Sequence, residues 1–190
     1  MRIGLLGGSF NPAHEAHREI SLAALKRLGL NQVWWLVSAG NPLKDNAHLP
    51  PLATRVEAAR RLANHPQIVV SGFDGGTGSP YTADLLQAFK QRYREVHFVW
   101  LMGADNLAEF HRWGAWQEIF GLVPIAVLDR PGHRLKARAS IAAHHFARSY
   151  KDESDAAGLA LLNPPAWTIL THRLSGLSST AVRENVLKSV

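Results

Sequence analysis

Apolar residues along the chain gather in short unbroken runs, and most stretches between them repeat with a helical period. Residues 3–6, 33–37, 67–71, 95–102, 124–128 and 168–171 read as strands. The second (VWWLV) and the fourth (EVHFVWLM) are apolar nearly throughout, as in parallel strands covered on both faces. The fourth reads as central in the sheet. Ile20, Ala23, Ala24 and Leu28 share one face of a helix that starts near Pro12 and ends at Gly29. Residues 52–64 read as a helix with Val56, Ala59, Leu62 and Ala63 inward and Arg55, Glu57, Arg60 and Arg61 mostly outward. Further helices are expected over 80–92, over 135–150 and from Ser178 to near Val190. Residues 151–155 read as a solvated charge run and 156–165 as irregular. Strands alternating with helices predict an α/β fold. The form expected is a Rossmann-like, doubly wound parallel sheet with right-handed crossovers, one domain over 1–190.

The first strand runs into Gly7-Gly8 and then into a helix. This is a phosphate-binding arrangement. Glycine lets a ligand come close to the backbone, and the helix N-terminus offers free N–H groups at the positive end of a dipole. Asn11 is placed to cap that helix, and Pro12 suits its first turn. His14 and His17 are three apart and share one face just inside the same end. Neither GxxxxGK[ST] nor GxGxxG is present, and residues 33–41 contain no acid to hold a ribose. The glutamate between the two histidines is not in an H-E-x-x-H frame and has no third ligand beside it, so no metal site is assigned. On residue chemistry alone, a tight βα turn with two surface histidines fits this stretch equally well.

The stretch Gly7-Gly8-Ser9-Phe10-Asn11-Pro12-Ala13-His14-Glu15-Ala16-His17 resembles the G-G-[ST]-F-[DN]-P-x-H-x-G-H signature of the nucleotidyltransferase superfamily. Leu177-Ser178-Ser179-Thr180-Ala181-Val182-Arg183 resembles its second signature, I-S-[ST]-T-x-[IV]-R. Ala16 stands where the family has glycine, a change expected to be tolerated. Asn41-Pro42-Leu43-Lys44 is similar to the N-P-x-K of the pyridine-nucleotide branch. Tyr81-Thr82 resembles part of the S-Y-T-x-[DE]-T-L segment of nicotinate-nucleotide adenylyltransferases, with Pro80 in place of the serine. Gly103 and Asp105 match the family's G-x-D, and Arg130-Pro131-Gly132 its R-P-G. Phe110 and Trp113 match F-x-x-W, whose tryptophan that family places on the nicotinate ring.

The resemblance implies an enzyme that transfers AMP from ATP to nicotinate mononucleotide, giving nicotinate adenine dinucleotide and pyrophosphate. It implies that Gly7, Gly8, Ser9, Phe10, His14, His17, Ser178, Ser179, Thr180 and Arg183 bind ATP. Asn41, Lys44, Tyr81, Thr82, Asp105, Trp113 and Arg130 would bind the pyridine nucleotide. His14, His17, Lys44 and Arg183 would carry the catalysis, with Mg²⁺ held mainly by the ATP phosphates. Read without the resemblance, Lys44 is a solvated loop lysine and Trp113 a packing aromatic. Likewise Ser178 to Thr180 would then be a helix cap with Arg183 one turn in.

Composition narrows the field further. At 190 residues with 46% hydrophobic residues, the chain can bury a sizeable core. It has no cysteine, hence no disulfide framework, thiol nucleophile or cysteine-held metal. No apolar run approaches the ~20 residues of a membrane span, and the first residues enter a strand with no signal peptide, so a cytoplasmic enzyme is expected. The net charge of +6 raises a nucleic-acid partner. Against it, Lys and Arg are dispersed, with Lys26-Arg27 and Arg60-Arg61 the only adjacent pairs, so ATP is the expected polyanion. Nicotinamide mononucleotide or phosphopantetheine as acceptor, and a non-catalytic nucleic-acid-binding module, stand as alternatives. A homo-oligomer is left open.

Overall fold

In the computed structural model, residues 1–40, 48–73, 81–129 and 132–171 are described. Strand β1 (Arg2–Gly8) leads to α1 (Glu15–Arg27), β2 (Gln32–Ser38), α2 (Leu52–Ala63) and β3 (Ile68–Phe73). Then come α3 (Thr82–Arg92), β4 (His97–Gly103), α4 (Ala104–Glu109), α5 (Trp116–Leu122) and β5 (Ile125–Leu128). Two short helices follow, α6 (Arg134–Arg138) and α7 (Ile141–His145), and the described sheet ends with β6 (Trp167–Leu170).

The six strands form one sheet in the order β3-β2-β1-β4-β5-β6, with every pairing parallel. This is the doubly wound order, in which ligands bind beyond the carboxyl ends of the strands where the winding reverses. Here the reversal lies between β1 and β4, whose registers meet at Leu5 and Trp100. The expected fold class is therefore found, with β4 central.

Alternation along the strands sorts the core into two layers. Val99 and Leu101 of β4 point into the layer shared with Ile20, Ala24 and Leu28 of α1's side and Val56 and Ala59 of α2. Phe98, Trp100 and Met102 point into the other, with Leu85, Leu86, Leu107, Ile119 and Phe120. The residues expected on the inner face of α1 are all buried, and Gly29 takes the left-handed φ of +57° that ends it.

Several expectations are corrected. The first helix starts at Glu15 with His14 at its cap, not at Pro12 with Asn11. His14 has an extended backbone, and its N–H donates to Nδ1 of His17 at 3.2 Å, a bond that does the work of a cap. Arg55 is not outward but 4% exposed. The single helix expected over 135–150 is broken into α6, α7 and a 3-10 turn at Ala147–Ser149. Ser140 interrupts it by capping α7, its hydroxyl accepting from the Ala143 N–H at 3.2 Å. Residues expected to be irregular form a 3-10 helix, Glu153–Leu161. Within the supposed solvated charge run, Glu153 is tied down: its carboxylate accepts from Arg27 Nη2 at 2.8 Å and from the Thr171 N–H and hydroxyl at 2.7 and 2.8 Å. The charge is also less dispersed than the adjacent-pair count suggests. Six of the Lys and Arg residues fall between Arg130 and Lys151 with no acid among them, and the other fifteen match fifteen acids.

Candidate active site

The turn after β1 lies at the carboxyl edge of the sheet. Phe10 anchors it: the residue is 2% exposed, has a φ of +46°, and its ring stacks on Trp35 at 5.1 Å. A non-glycine residue in this region is uncommon, and the buried aromatic contact is what holds it there. The same ring lies 4.6 Å from that of His17. His14 and His17 sit with ring centroids 4.0 Å apart, so the pair expected on one face is formed. His14 is 5% exposed and His17 half-buried.

Bonding fixes His17 further. Its backbone carbonyl accepts from the Ser21 hydroxyl at 2.8 Å, and Ser21 Oγ in turn accepts from Trp35 Nε1 at 2.7 Å. In the neutral tautomer whose Nδ1 accepts from the His14 N–H, the ring proton is on Nε2. In the charged ring, Nδ1 lies 3.3 Å from the His14 carbonyl and can donate to it. In both of these forms the Nε2–H is a donor.

The two glycines of the turn differ. A Cβ on Gly7 would stand 2.5 Å from Cη2 of Trp100, so packing against the indole demands glycine. A Cβ on Gly8 would meet nothing closer than the Phe10 ring at 3.5 Å, an ordinary contact. Among the described residues nothing in the packing requires Gly8, which suits a close approach of a ligand to the backbone. Ala16, by contrast, is fully enclosed by protein.

The exit of β2 is joined to this turn by Arg55 of α2. Its Nη1 donates to the carbonyls of Ser9 and Ser38 at 2.7 Å each, Nη2 to Ala39 at 3.1 Å and Nε to Pro50 at 2.8 Å. Burial lowers its pKa from the ordinary guanidinium value. Sequence reading missed Arg55, although Leu52, Arg55, Ala59 and Leu62 fall at the spacing of one helical stripe. It also missed Ser21, which carried no signal beyond its place on the apolar face of α1.

Aromatic rings build the opposite side. Trp113 is half-buried, tilted on Phe110 at 5.0 Å and edge-on to Trp100 at 6.4 Å. Tyr81, at the start of α3, is 50% exposed, and its ring lies against Gly114, where a Cβ would come within 2.8 Å. Thr82 begins α3, and Asp105 is in the first turn of α4, just past the carboxyl end of β4. Trp116 packs across to α7, 5.4 Å from His145 and 6.0 Å from Phe146, rather than only within its own helix. Asn41, Lys44, Arg130, Ser178, Ser179, Thr180 and Arg183 lie outside the described residues. Among the described residues no helix is long and apolar enough to cross a membrane.

A parallel sheet wound in this order, with a histidine pair on a helix start at its carboxyl edge, defines a nucleotide-handling α/β protein. Comparison with known proteins agrees. The family model for cytidylyltransferase-like proteins matches residues 5–185. A protein of Methylorubrum extorquens strain PA1, called a probable nicotinate-nucleotide adenylyltransferase, is 55% identical over 183 residues, 96% of this chain and 99% of that one. Its counterpart of the same name in Rhizobium meliloti strain 1021 is 49% identical over 96% of this chain and 97% of its own. Among solved structures, a Plasmodium falciparum nicotinic acid mononucleotide adenylyltransferase complexed with NaAD superposes with a TM-score of 0.72. It is 17% identical, and the match covers 99% of this chain and 89% of that one, a likeness of fold. The chain belongs to the cytidylyltransferase-like family and, within it, to the nicotinate-nucleotide adenylyltransferases.

Proposed function

We propose that the protein transfers the adenylyl group of ATP to nicotinate mononucleotide, releasing pyrophosphate and forming nicotinate adenine dinucleotide. The observation that carries this reading is the His14–His17 pair, 4.0 Å apart at the start of α1, immediately after Gly7-Gly8 and in a chain 55% identical to a relative of that name.

The attacking mononucleotide phosphate is already an anion, so no strong base is needed, and catalysis rests on alignment and charge stabilisation. The oxygen of that phosphate attacks the α-phosphorus of ATP, and the bond to the β-phosphate oxygen breaks. The Nε2–H of His17 is the group we assign to the α-phosphate, where charge builds up, with His14 beside it on the triphosphate. Gly8 and the positive dipole end of α1 complete that cradle. Lys44, Ser178, Ser179, Thr180 and Arg183 are assigned to the leaving pyrophosphate from their motifs. Asn41, Tyr81, Thr82, Asp105, Trp113 and Arg130 are assigned to the acceptor: Trp113 by stacking on its ring, Asp105 by accepting from ribose hydroxyls. Mg²⁺, held mainly by the ATP phosphates and water, would offset phosphate charge. Such an enzyme works on free nucleotides, in keeping with a cytoplasmic place.

The test is pyrophosphate release from ATP and Mg²⁺ with nicotinate mononucleotide, nicotinamide mononucleotide and phosphopantetheine in parallel. Strong preference for the first is expected. Preference for either of the others overturns the acceptor assignment, and no release with any overturns the activity.

A further inference from the structure

Arg55 is the one lysine or arginine among the buried residues of the described chain. Burying such a charge costs several kcal/mol in general, and proteins ordinarily offset it with a carboxylate. Here none of the ion pairs among the described residues includes Arg55. All its partners among the described residues are backbone carbonyls, and they come from three separate places. Ser9 belongs to the turn that carries His14 and His17, Ser38 and Ala39 form the exit of β2 that leads to Asn41 and Lys44, and Pro50 precedes α2. Neutral dipoles satisfy the donors but leave the net charge standing, 2.7 Å from the carbonyl of the signature turn.

We propose that Arg55 is a positioning residue for adenylyl transfer: its planar fork sets the spacing between the histidine turn and the β2 exit, and its charge, which no carboxylate among the described residues pairs, is completed by the polyphosphate of ATP. The proposal rests on the functional reading above. A guanidinium suits both tasks. It is always charged, and its donors have a fixed geometry that a lysine ammonium does not reproduce. Because one Nη1 bridges Ser9 and Ser38, the two loops cannot shift independently while it is in place.

The test uses Arg55→Lys and Arg55→Met in the full chain, with folding followed by circular dichroism and melting. Kinetics are measured with ATP and nicotinate mononucleotide, and binding of inorganic tripolyphosphate by calorimetry. Misplacement of a reacting group by about 1 Å can cost roughly a hundredfold in rate, and a loss of that order in kcat is expected for both variants. Loss of one charge-assisted contribution predicts roughly tenfold weaker tripolyphosphate binding in Arg55→Met, with most of it regained in Arg55→Lys. The KM for nicotinate mononucleotide should stay within about threefold, since Tyr81, Thr82, Asp105 and Trp113 of its assigned contacts belong to the side of α3 and β4, and Asn41 alone of them follows the β2 exit in the chain. A folded Arg55→Met that keeps both kcat and tripolyphosphate affinity overturns the proposal and leaves Arg55 a structural staple. Should Arg55→Met fail to fold, Arg55→Lys decides alone: unchanged kcat overturns the role of the fork. Tripolyphosphate binding is read without turnover. A wild-type protein inactive toward all acceptors therefore defeats the functional reading, while a tripolyphosphate affinity that ignores the substitution defeats this one.

Discussion

The two sides of the site are held by different forces. On the side of β1 and β2, backbone and polar side chains are bonded in place. His17 is fixed through its ring Nδ1 and through Ser21 and Trp35, and Arg55 joins Ser9 to the end of β2. On the side of β4 and α3, rings lean on rings: Trp113 on Phe110 and Trp100, Tyr81 on Gly114. Directed bonds suit a transition state, whose charge must be met at one point, whereas apolar faces suit a flat ring recognised mainly by area. Changes on the first side should therefore fall on kcat, and changes on the second on the KM of the acceptor. The sides touch where Trp100 packs on Gly7.

The largest effect is expected from His17→Ala. Removing a donor aimed at developing charge costs about a hundred- to a thousandfold in kcat. Steady-state kinetics should show that loss with the KM of nicotinate mononucleotide little changed. A fall confined to KM would move His17 out of the chemistry and blur the distinction between the sides.

Trp113→Ala tests the other side. Loss of a stacking partner costs about 1–3 kcal/mol per ring, or roughly ten- to a hundredfold in affinity. The KM for the mononucleotide should rise by that factor while the KM for ATP holds. An equal rise in both would mean that Trp113 supports the fold rather than the ring.

The contact between the sides is tested by adjacent glycines. Gly7→Ala forces a methyl to 2.5 Å from an indole that is only 2% exposed and cannot swing aside. Overpacking of this kind costs about 1–3 kcal/mol, which thermal melting will register as a lower Tm. Gly8→Ala should leave the melting temperature close to that of the wild type and weaken ATP alone, because no described side chain would be crowded by the added methyl. A Tm loss at Gly8 equal to that at Gly7 would show that both glycines serve packing.

The strands and the histidine pair were legible because each rests on local pattern: apolar runs give strands, and a spacing of three brings His14 and His17 together. Ring-side residues such as Trp113 and Tyr81 were legible only as motif members, since nothing in their spacing tells a stacking surface from a packing one. Arg55 was read outward because a charge ordinarily is, and the carbonyls that enclose it are more than ten residues away in three of its four bonds. The break at Ser140 has a comparable origin: a hydroxyl that caps a helix start competes with the helix expected to run through it. Long-range partners and such competitions are not written in the period of the sequence.

The smallest effect concerns Glu153, which fastens the far end of α1 to the end of β6. Burial alone would raise its pKa, but the bonds from Thr171 and Arg27 outweigh that and hold the carboxyl below its ordinary value. A depressed folded-state pKa contributes stability that is fully present above the unfolded value and is lost as pH falls through the folded one. The wild type should therefore lose melting temperature below about pH 4.5, and Glu153→Gln should show a shallower acid loss, with the two converging at low pH. At neutral pH the variant should melt lower, yet its kcat should stay near that of the wild type, because the clamp lies at the opposite end of α1 from His17. A neutral-pH kcat loss in a variant with normal melting would mean that the fastening reaches the chemistry. Directed bonding would then extend beyond the phosphate side and along the whole length of α1.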